Sequence, residues 1–275
     1  MQYIHYSLIV SDFDGTLVNH NGTISEKNKQ AIADYIALGG AFAISTGRMP
    51  SGIISRAEEL GLKGLVSCCQ GAIIADIETR KFVFAEKIPY ETTLAVVEKM
   101  EEMGLLIFIY DDWEYYCNRS EQAVEWYEKA VKSKANLVLD KPLSQFIREN
   151  KFETYKILTM VRAEDNERIM QALAAENFEG CEVTRSGLNL VEVINAKYSK
   201  GTAVEFLAKH FGATIEKTVA VGDQLNDMPM IERAGLGVAV QNADNGLKAM
   251  ADVVSPLTNE EGAIAWVVEE FGFQK

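Results

Sequence analysis

The sequence predicts an α/β protein whose parallel-sheet core is interrupted by an inserted α+β module. Two observations predict this fold. Short apolar runs alternate with helical patterns over residues 6–85 and again after Lys200-Gly201, and this alternation is typical of βαβ units on a parallel sheet. Between them, paired strands occur with helices grouped among them, which is typical of an α+β arrangement.

Composition excludes several classes of partner. The chain has 275 residues, of which 48% are hydrophobic and 24% charged, enough apolar material for a proper core. Its 27 basic and 40 acidic residues give a net charge of −13, so we expect neither a nucleic acid nor an anionic membrane as partner. A small anionic substrate remains compatible, because a site can be locally positive.

The sequence also predicts a cytoplasmic location. Asp12 interrupts the first apolar run before a signal-peptide core can form, and no apolar stretch is long enough for a membrane span. Cys68, Cys69, Cys117 and Cys181 lack zinc-ligand spacing, so we interpret them as free thiols of a reducing compartment. No feature of the sequence indicates an oligomeric state.

The first predicted strand, residues 6–10, is a short apolar run bounded by turn residues. A helix follows residues 23–26, where Thr23 and Glu26 have the spacing of a capping box, and Gly39-Gly40 ends it. Residues 41–45 form the second predicted strand. The sequence therefore begins with one βαβ unit.

Proline at position 50 suits the first turn of a second helix, which we expect to run to Gly61. Residues 65–69 are a predicted third strand of the parallel sheet, and shorter strands are predicted over 72–75 and 82–85.

The predicted insert occupies residues 85–189, and residues 1–84 with 190–275 form the discontinuous core. Its pattern changes at Pro89. The predicted helices cover residues 91–103, 121–134, a segment after Pro142, and 165–176. The predicted strands cover residues 105–110, 114–117, 137–139, 155–161, 182–185 and 189–194.

The strand and helix alternation returns in the last quarter of the chain. A helix from Lys200 to Phe211 precedes a predicted strand over 218–221 and a helix that ends at Ala234. A strand over 237–240, a helix through Met250 and a terminal helix from Glu260 complete the core.

Four short segments carry the candidate chemistry, and each follows a predicted core strand or begins a helix. They are residues 12–16, residues 46–48, Lys200, and residues 223–227. Because ligands bind outside the carboxyl ends of the strands in open α/β sheets, we expect these segments to meet at one edge. Their carboxylates, ammonium group and glycines predict a site for a divalent metal and a phosphate.

Within that site, Asp12 is the candidate nucleophile and Asp14 its acid/base partner. A carboxylate attacking a phosphate meets repulsion of about 4 kcal/mol per charge pair at 4 Å and an effective dielectric constant near 20. A hard cation such as Mg²⁺ offsets that repulsion. Lys200 and the backbone N–H groups around Thr46-Gly47 are candidates to hold the phosphate oxygens.

Some assignments keep an alternative. Ser45 could take the role of Thr46, and Lys197 competes with Lys200. Arg48 is equally consistent with a substrate contact and with an ion pair to a nearby acid.

In the insert, one cluster is a weaker candidate for contacting the leaving group, because such a run is more often a hairpin with one packed face. Arg185 is a second weak candidate, and Asn242 is predicted to cap the helix after it. The cluster consists of Trp113, Tyr115, Tyr116, Asn118 and Arg119.

The four segments together resemble the four motifs of the haloacid dehalogenase (HAD) superfamily. Their order along the chain and the insert between the second and third segments, with Gln70-Gly71-Ala72 and Asn242-Ala243, are similar to the Cof-type phosphatases. The resemblance covers essentially the whole chain. It implies a Rossmann-like core that carries an inserted α+β cap of type IIB, acting as a lid over the sheet edge.

The resemblance also implies roles for the site residues. Asp12 resembles the nucleophile that forms an aspartyl-phosphate, and Asp14 the acid/base. Asp12, the backbone carbonyl of Asp14, and Asp223 resemble the Mg²⁺ ligands, and Asp227 a carboxylate that orients metal-bound water. The implied phosphate ligands are Thr46, Gly47, Lys200 and Asn226.

The expected function is therefore Mg²⁺-dependent hydrolysis of a small phosphorylated metabolite, a sugar phosphate or similar. One alternative is phosphoryl transfer to a sugar, as in the related phosphomannomutases. The other is a non-catalytic sensor of a phosphorylated metabolite, although a pure binder would not need the acid at position 14.

Overall fold

The computed structural model describes residues 3–274 and contains the alternating elements that the sequence predicts. The strands are β1 (Leu8–Ser11), β2 (Ala41–Ile44), β3 (Leu65–Cys68), β4 (Ile73–Asp76), β5 (Phe82–Ala85), β6 (Leu106–Tyr110), β7 (Tyr115–Cys117), β8 (Asn136–Leu137), β9 (Lys156–Met160), β10 (Cys181–Gly187), β11 (Leu190–Asn195), β12 (Thr218–Gly222), β13 (Leu236–Ala239) and β14 (Val253–Val254). The α-helices are α1 (Glu26–Ala37), α2 (Pro50–Glu59), α3 (Tyr90–Glu102), α4 (Gln122–Val131), α5 (Leu143–Asn150), α6 (Asn166–Ala174), α7 (Lys200–His210), α8 (Met228–Arg233), α9 (Asn245–Met250) and α10 (Ala263–Val267).

The core sheet has the order β14-β13-β12-β1-β2, and every pairing in it is parallel. Strand β1 lies between β12 and β2, and its residues Leu8, Ile9 and Val10 are fully buried. A continuous apolar run suits such a strand, because helices cover both faces of a parallel sheet. The predicted parallel α/β core is therefore confirmed.

The first helix begins two residues later than the capping-box pattern places it. Ser25, not Thr23, is the N-cap of α1, and its hydroxyl accepts a hydrogen bond from the backbone N–H of Asn28. Thr23 instead bonds to Asn19 and Asn21 in the preceding turn. Serine and threonine are both common N-cap residues, so the spacing alone could not distinguish the two positions.

Strand β3 was expected in the parallel sheet, and this expectation is wrong in part. It forms an antiparallel sheet of order β3-β4-β5, and an isolated parallel bridge between Ser45 and Ser67 joins it to the end of β2. The connection from β3 to β4 contains only the short turn Cys69–Gly71. So short a connection reverses the chain and yields an antiparallel pair, whereas a parallel pair needs a crossover of a dozen residues or more.

The insert forms a six-stranded sheet of order β10-β11-β9-β6-β7-β8, antiparallel except for the β7–β8 pair. Its helices α3, α5 and α6 pack on one face around a separate apolar cluster, which includes Val97, Ile107 and Leu173. This arrangement is the predicted α+β module.

One segment assigned to the core belongs to the sheet of the insert. Residues Leu190–Asn195 form β11, which pairs with β9 and β10, so the sheet of the insert extends past position 190. We therefore propose that the insert ends after Asn195 rather than at residue 189, with the rest of the predicted division kept.

Two details near the carboxyl end differ from prediction. Strand β14 was not predicted, because its two residues Val253–Val254 are too few to show a period. The terminal helix begins at Ala263 instead of Glu260, after Gly262 with φ of 92°. No helix within residues 3–274 is both long and apolar enough to cross a membrane.

Gly71 has a packing requirement that gives a test of the fold. Its φ is +100°, and a Cβ at this position would lie 2.3 Å from the Ser199 carbonyl oxygen, directly before α7. Gly71→Ala should lower the free energy of unfolding by about 1–3 kcal/mol from backbone strain, plus a similar cost from the clash. Gly212→Ala is the matched control, because its φ is +67° and nothing lies within 4 Å. Urea unfolding of both variants tests this, and equal losses would contradict the role of the Ser199 contact.

Candidate active site

The carboxyl ends of three adjacent strands bring the predicted segments together. Ser11 at the end of β1 pairs with Ile44 of β2 and Val221 of β12. Asp12 is the next residue, so it lies between the ends of β2 and β12. Neighbouring strands lie about 4.8 Å apart. Thr46 follows β2 and Asp223 follows β12, so residues far apart in sequence lie side by side.

Lys200, the first residue of α7, lies at the centre of this edge. Its Nζ donates to Asp12 Oδ1 at 2.5 Å and to Asp227 Oδ1 at 2.5 Å, and all three side chains are buried. Burial alone lowers the pKa of a lysine, but Asp12 and Asp227 outweigh it and raise the pKa of Lys200. The amino group is therefore a permanent cation.

Both carboxylate oxygens of Asp227 accept hydrogen bonds from protein groups. Its second oxygen, Oδ2, accepts the backbone N–H groups of Asp223 at 2.8 Å and Gln224 at 3.0 Å. These bonds fix the turn after β12, and the carboxylate at the same time holds Lys200. Asp227 thus positions the groups around it.

Asp12, Asp223 and Asp227 form a compact acidic cluster. One carboxylate oxygen from each lies within 4.8 Å of the others. Burial and then Asp227 raise the pKa of Asp223 to about 7, and burial together with the neighbouring acids raises the pKa of Asp12 despite Lys200. The single positive charge of Lys200 does not balance the negative charge of three buried carboxylates.

Two glycines make this close packing possible. Gly15 has φ of +78°, and a Cβ there would lie 2.4 Å from Asp223 Oδ2. A Cβ on Gly222 would lie 2.5 Å from the Asp227 side chain. Thr16 then donates to Asp223 Oδ1 at 2.9 Å, so the turn after β1 orients the acid after β12.

These residues fit a divalent cation. Hard cations take oxygen ligands, and the cluster offers buried carboxylate oxygens with an excess of negative charge. Asp227 accepts three protein donors, one of them the charged Lys200 ammonium, whereas Asp223 accepts only the Thr16 hydroxyl and a long Gln224 amide contact of 3.3 Å. Asp12 and Asp223 are therefore the side chains best suited as ligands.

Asp14 lies apart from this cluster and contacts Arg48. The guanidinium donates to both carboxylate oxygens, Nε to Oδ2 and Nη2 to Oδ1, each at 2.7 Å. The Asp14 side chain is 53% exposed, and Arg48 also lies over the Phe13 ring at 5.1 Å. Of the two interpretations of Arg48, the structure therefore has the ion pair with an acid.

Three of the four predicted phosphate-binding residues, Thr46, Gly47 and Asn226, line one cavity of about 200 Å³ together with Asp12 and Asp14. Thr46 and Gly47 form its edge, and the Asn226 amide donates to Gln70 at 3.0 Å. Asn226 Oδ1 is a buried oxygen without a partner among the described residues. The fourth, Lys200, is not among the lining residues and contacts the cavity-lining Asp12 instead.

Comparison with known proteins now identifies the family. A family model for haloacid dehalogenase-like hydrolases matches residues 9–268. The chain belongs to this family. It is a HAD-superfamily phosphatase of the Cof type, and the predicted resemblance is confirmed.

Relatives and solved structures agree over nearly the full length. A protein of Haemophilus influenzae is 30% identical over 266 residues, covering 96% of this chain and 98% of the relative. Phosphatase YwpJ of Bacillus subtilis is 28% identical, covering 95% and 98%. A HAD-like hydrolase from B. subtilis superposes with a TM-score of 0.84 at 27% identity, covering 96% of this chain and 99% of that one. The HAD subclass IIB sugar phosphatase BT4131 shares the fold, with a TM-score of 0.83 at 22% identity and 97% and 99% coverage.

In this phosphatase the structure separates the competing candidates. Thr46 lines the cavity, whereas the Ser45 hydroxyl is turned to Ser67 at 3.2 Å. Lys200 contacts Asp12, whereas Lys197 is exposed.

The weaker candidates of the insert do not line the catalytic cavity. Trp113 stacks on Phe82, and the rest of the predicted aromatic cluster is used in packing and backbone hydrogen bonds of the hairpin. Arg185 pairs with Asp244. The expectation that Asn242 caps a helix is wrong, because Asp244 is the N-cap of α9 and Asn242 donates to the Gly15 carbonyl at 2.8 Å.

Sequence reasoning assigned no role at the cavity of this HAD phosphatase to several of the polar residues that line it. Gln70, Lys156 and Glu192 line the cavity, and the last two lie in largely apolar, mostly buried strands of the cap. An ionisable residue inside a buried strand is costly unless it is paired, and that signal could have singled out Lys156 and Glu192. Gln70 is part of the Gln70-Gly71-Ala72 segment that contributes to the resemblance, but nothing in that segment indicates a contact with the cavity.

The central lysine gives a stability test. Lys200→Met removes the cation between Asp12 and Asp227 and should lower the free energy of unfolding by about 3–5 kcal/mol, because buried carboxylates lose their partner. Urea unfolding with a chelator present measures this. Lys29→Met is the control, because its pair with Glu26 is on the surface and should contribute less than about 1 kcal/mol. An equal, small effect of both substitutions would contradict the central position of Lys200.

Proposed function

We propose that this phosphatase is a Mg²⁺-dependent phosphomonoester hydrolase that works through an aspartyl-phosphate on Asp12. The observation that carries the proposal is the buried Asp12 carboxylate, held by Lys200 at 2.5 Å beside Asp223 and opening into the same cavity as Asp14. Lys200 donates to Oδ1 and leaves Oδ2 without a hydrogen-bond donor among residues 3–274. This oxygen is therefore available to attack phosphorus.

In the first half-reaction, Asp12 forms a bond to phosphorus and the ester bond to the leaving oxygen breaks. Asp14, in its protonated form, donates a proton to that oxygen and becomes a carboxylate, so the product leaves as a neutral alcohol. Thr46, the Gly47 N–H and Asn226 hold phosphate oxygens at the cavity edge. Arg48 keeps the Asp14 carboxyl at the mouth of the cavity, where the leaving group lies.

In the second half-reaction, water attacks phosphorus and the bond to Asp12 breaks. Asp14, now a carboxylate, accepts a proton from the water as it attacks. Inorganic phosphate forms and Asp12 returns to its carboxylate. The two acids are suited to different roles because Asp12 is buried against Lys200, whereas Asp14 is half exposed and paired with Arg48.

Asp12, Asp223 and the backbone carbonyl of Asp14 would hold the Mg²⁺ ion. When bound, this ion neutralises the charge that accumulates between the carboxylates and the phosphate. The excess of buried negative charge around Asp223 supports this assignment.

A small phosphorylated metabolite, such as a sugar phosphate, is the proposed substrate, because the cavity of about 200 Å³ holds little more than a phosphate and one small leaving group. The similarity in fold to a sugar phosphatase agrees with this class. The four free cysteines support work in a reducing cytoplasm.

The alternatives have distinct tests. A phosphotransferase of the phosphomannomutase type would isomerise a hexose phosphate in the presence of a bisphosphate activator. A sensor would bind phosphorylated metabolites and release no phosphate from any of them. The acid at position 14 favours hydrolysis over sensing.

Replacement of the two acids should separate the half-reactions. With p-nitrophenyl phosphate, whose leaving group needs no protonation, Asp14→Asn should give a burst of one nitrophenolate per enzyme followed by slow turnover, because only the second step needs the base. Asp12→Asn should give neither burst nor turnover. Stopped-flow absorbance measures both, and turnover by Asp12→Asn would refute the proposed nucleophile.

The metal assignment predicts a shift in Mg²⁺ dependence. Asp223→Asn removes one charged ligand and should raise the Mg²⁺ concentration for half-maximal activity by about tenfold or more. Asp252→Asn is a control in the same half of the chain, because Asp252 bonds to the Gly237 N–H away from the cavity. Titration of Mg²⁺ after chelator treatment tests this, and an unchanged midpoint in Asp223→Asn would rule the ligand role out.

A further inference from the structure

The far wall of the catalytic cavity is formed by the cap. One side of this wall is polar and consists of Lys156 on β9 with Ser186 and Glu192 on β10 and β11. The other side is largely apolar and consists of Trp126, Tyr127, Ala130, Val131, Leu158 and Leu190. The wall faces Asp12 and Asp14 across the cavity, so it is where the leaving group of the ester would lie.

Lys156 and Glu192 form a desolvated ion pair in this wall. Lys156 Nζ lies 3.2 Å from Glu192 Oε2, and the two side chains are 3% and 2% exposed. Gln70 Nε2 donates to the same oxygen at 3.1 Å, and the Ser186 hydroxyl donates to Glu192 Oε1. Lys156 also lies over the Tyr110 ring at 4.7 Å.

This pair keeps both donors and acceptors for a ligand. A lysine has three N–H donors, and within residues 3–274 Nζ gives one of them to a carboxylate. A carboxylate has about four acceptor positions, and Glu192 uses three of them. An alcohol hydroxyl both donates and accepts, so it can satisfy Lys156 and Glu192 together.

A second phosphate group has no comparable partner there. Phosphate oxygens only accept, and they would lie against the Glu192 carboxylate. The cations that line the cavity, Arg48 and Lys156, are already paired with Asp14 and Glu192. The wall therefore offers no net positive charge to a dianion that must lose its water to enter.

The apolar side of the wall matches the C–H faces of a polyhydroxylated substrate. The Trp126 side chain lies at the cavity with 58% of the residue exposed, and Leu190 and Val131 lie beside it. A polyhydroxylated ring or chain presents C–H faces as well as hydroxyls, so it matches a wall with an aromatic side and a hydrogen-bonding side.

We propose that Lys156 and Glu192 form the leaving-group subsite and select esters of neutral polyhydroxylated alcohols that carry a single phosphate. The inference rests on the proposed phosphatase function and adds its specificity. The balance between the two charges, rather than the presence of either one, excludes a second phosphate.

The test compares three substrates at saturating Mg²⁺: a hexose 6-phosphate, the hexose 1,6-bisphosphate, and p-nitrophenyl phosphate. Wild-type kcat/KM for the monophosphate should exceed that for the bisphosphate by at least about tenfold, the effect of roughly one charged hydrogen bond. Because p-nitrophenyl phosphate has no hydroxyls, it reports the reaction without the subsite.

Two variants that each remove one charge should move the monophosphate-to-bisphosphate ratio of kcat/KM in opposite directions. Glu192→Gln leaves Lys156 without its carboxylate and should lower the monophosphate-to-bisphosphate ratio by about tenfold. Lys156→Met leaves Glu192 alone and should raise it. The controls are Lys99→Met and Glu176→Gln. Each breaks the ion pair between Lys99 Nζ and Glu176 Oε1, which are 2.5 Å apart in the cap and do not line the cavity, so each should leave the ratio unchanged.

A double variant keeps the test valid if a single variant fails to fold. Lys156→Met with Glu192→Gln removes both charges together, so it should keep the monophosphate-to-bisphosphate ratio while losing the preference for the hexose over the aryl ester. A merely structural pair would shift the ratio in the same direction in both single variants, or in neither.

The outcomes separate the two proposals. If the wild-type enzyme releases no phosphate from any of the three esters, the proposed function is wrong. If it hydrolyses p-nitrophenyl phosphate but uses the bisphosphate as well as the monophosphate, the subsite inference alone is overturned. A ratio unchanged in Glu192→Gln and Lys156→Met, or shifted equally by both, also overturns it.

Discussion

The buried amino group of Lys200 is the interaction on which the rest of the site depends. It lies between Asp12 and Asp227 at 2.5 Å from each, where both carboxylates would otherwise be buried without a partner. A buried ion pair adds little stability by itself, but losing one member is costly. The lysine therefore makes a reactive carboxylate tolerable inside the protein, and the fold around α7 serves to hold it there.

The supports of Lys200 come from separate parts of the chain. Ser199 caps α7, and Gly71 packs directly on the Ser199 carbonyl, so the first turn of the helix is held between two elements. Asp227 meets the amino group with one oxygen and fixes the turn after β12 with the other. The position of one charge thus depends on the antiparallel β3–β4 turn as well as on the parallel sheet.

Much of the site could be predicted because it follows from sheet topology. Residues 12, 46 and 223 each follow a parallel strand, and neighbouring strand ends meet at one edge whatever the details of packing. The sequence left Arg48 open between a substrate contact and an ion pair. It could indicate that Lys156 and Glu192 need partners, but not that they face the catalytic cavity, since this depends on how two sheets face each other. The place of β11 in the sheet of the insert could not be predicted either, because only its pairing partners identify it.

Gln70 shows how the two faces of the cavity are joined. Its amide oxygen accepts from Asn226 in the core, and its amide nitrogen donates to Glu192 in the cap. An amide can do both at once, whereas a carboxylate could only accept and an ammonium could only donate. Its backbone has φ of 61°, so the turn after β3 is held in a conformation unusual for a residue with a side chain. A single uncharged side chain therefore links the phosphate side to the leaving-group side without altering the charge balance of either.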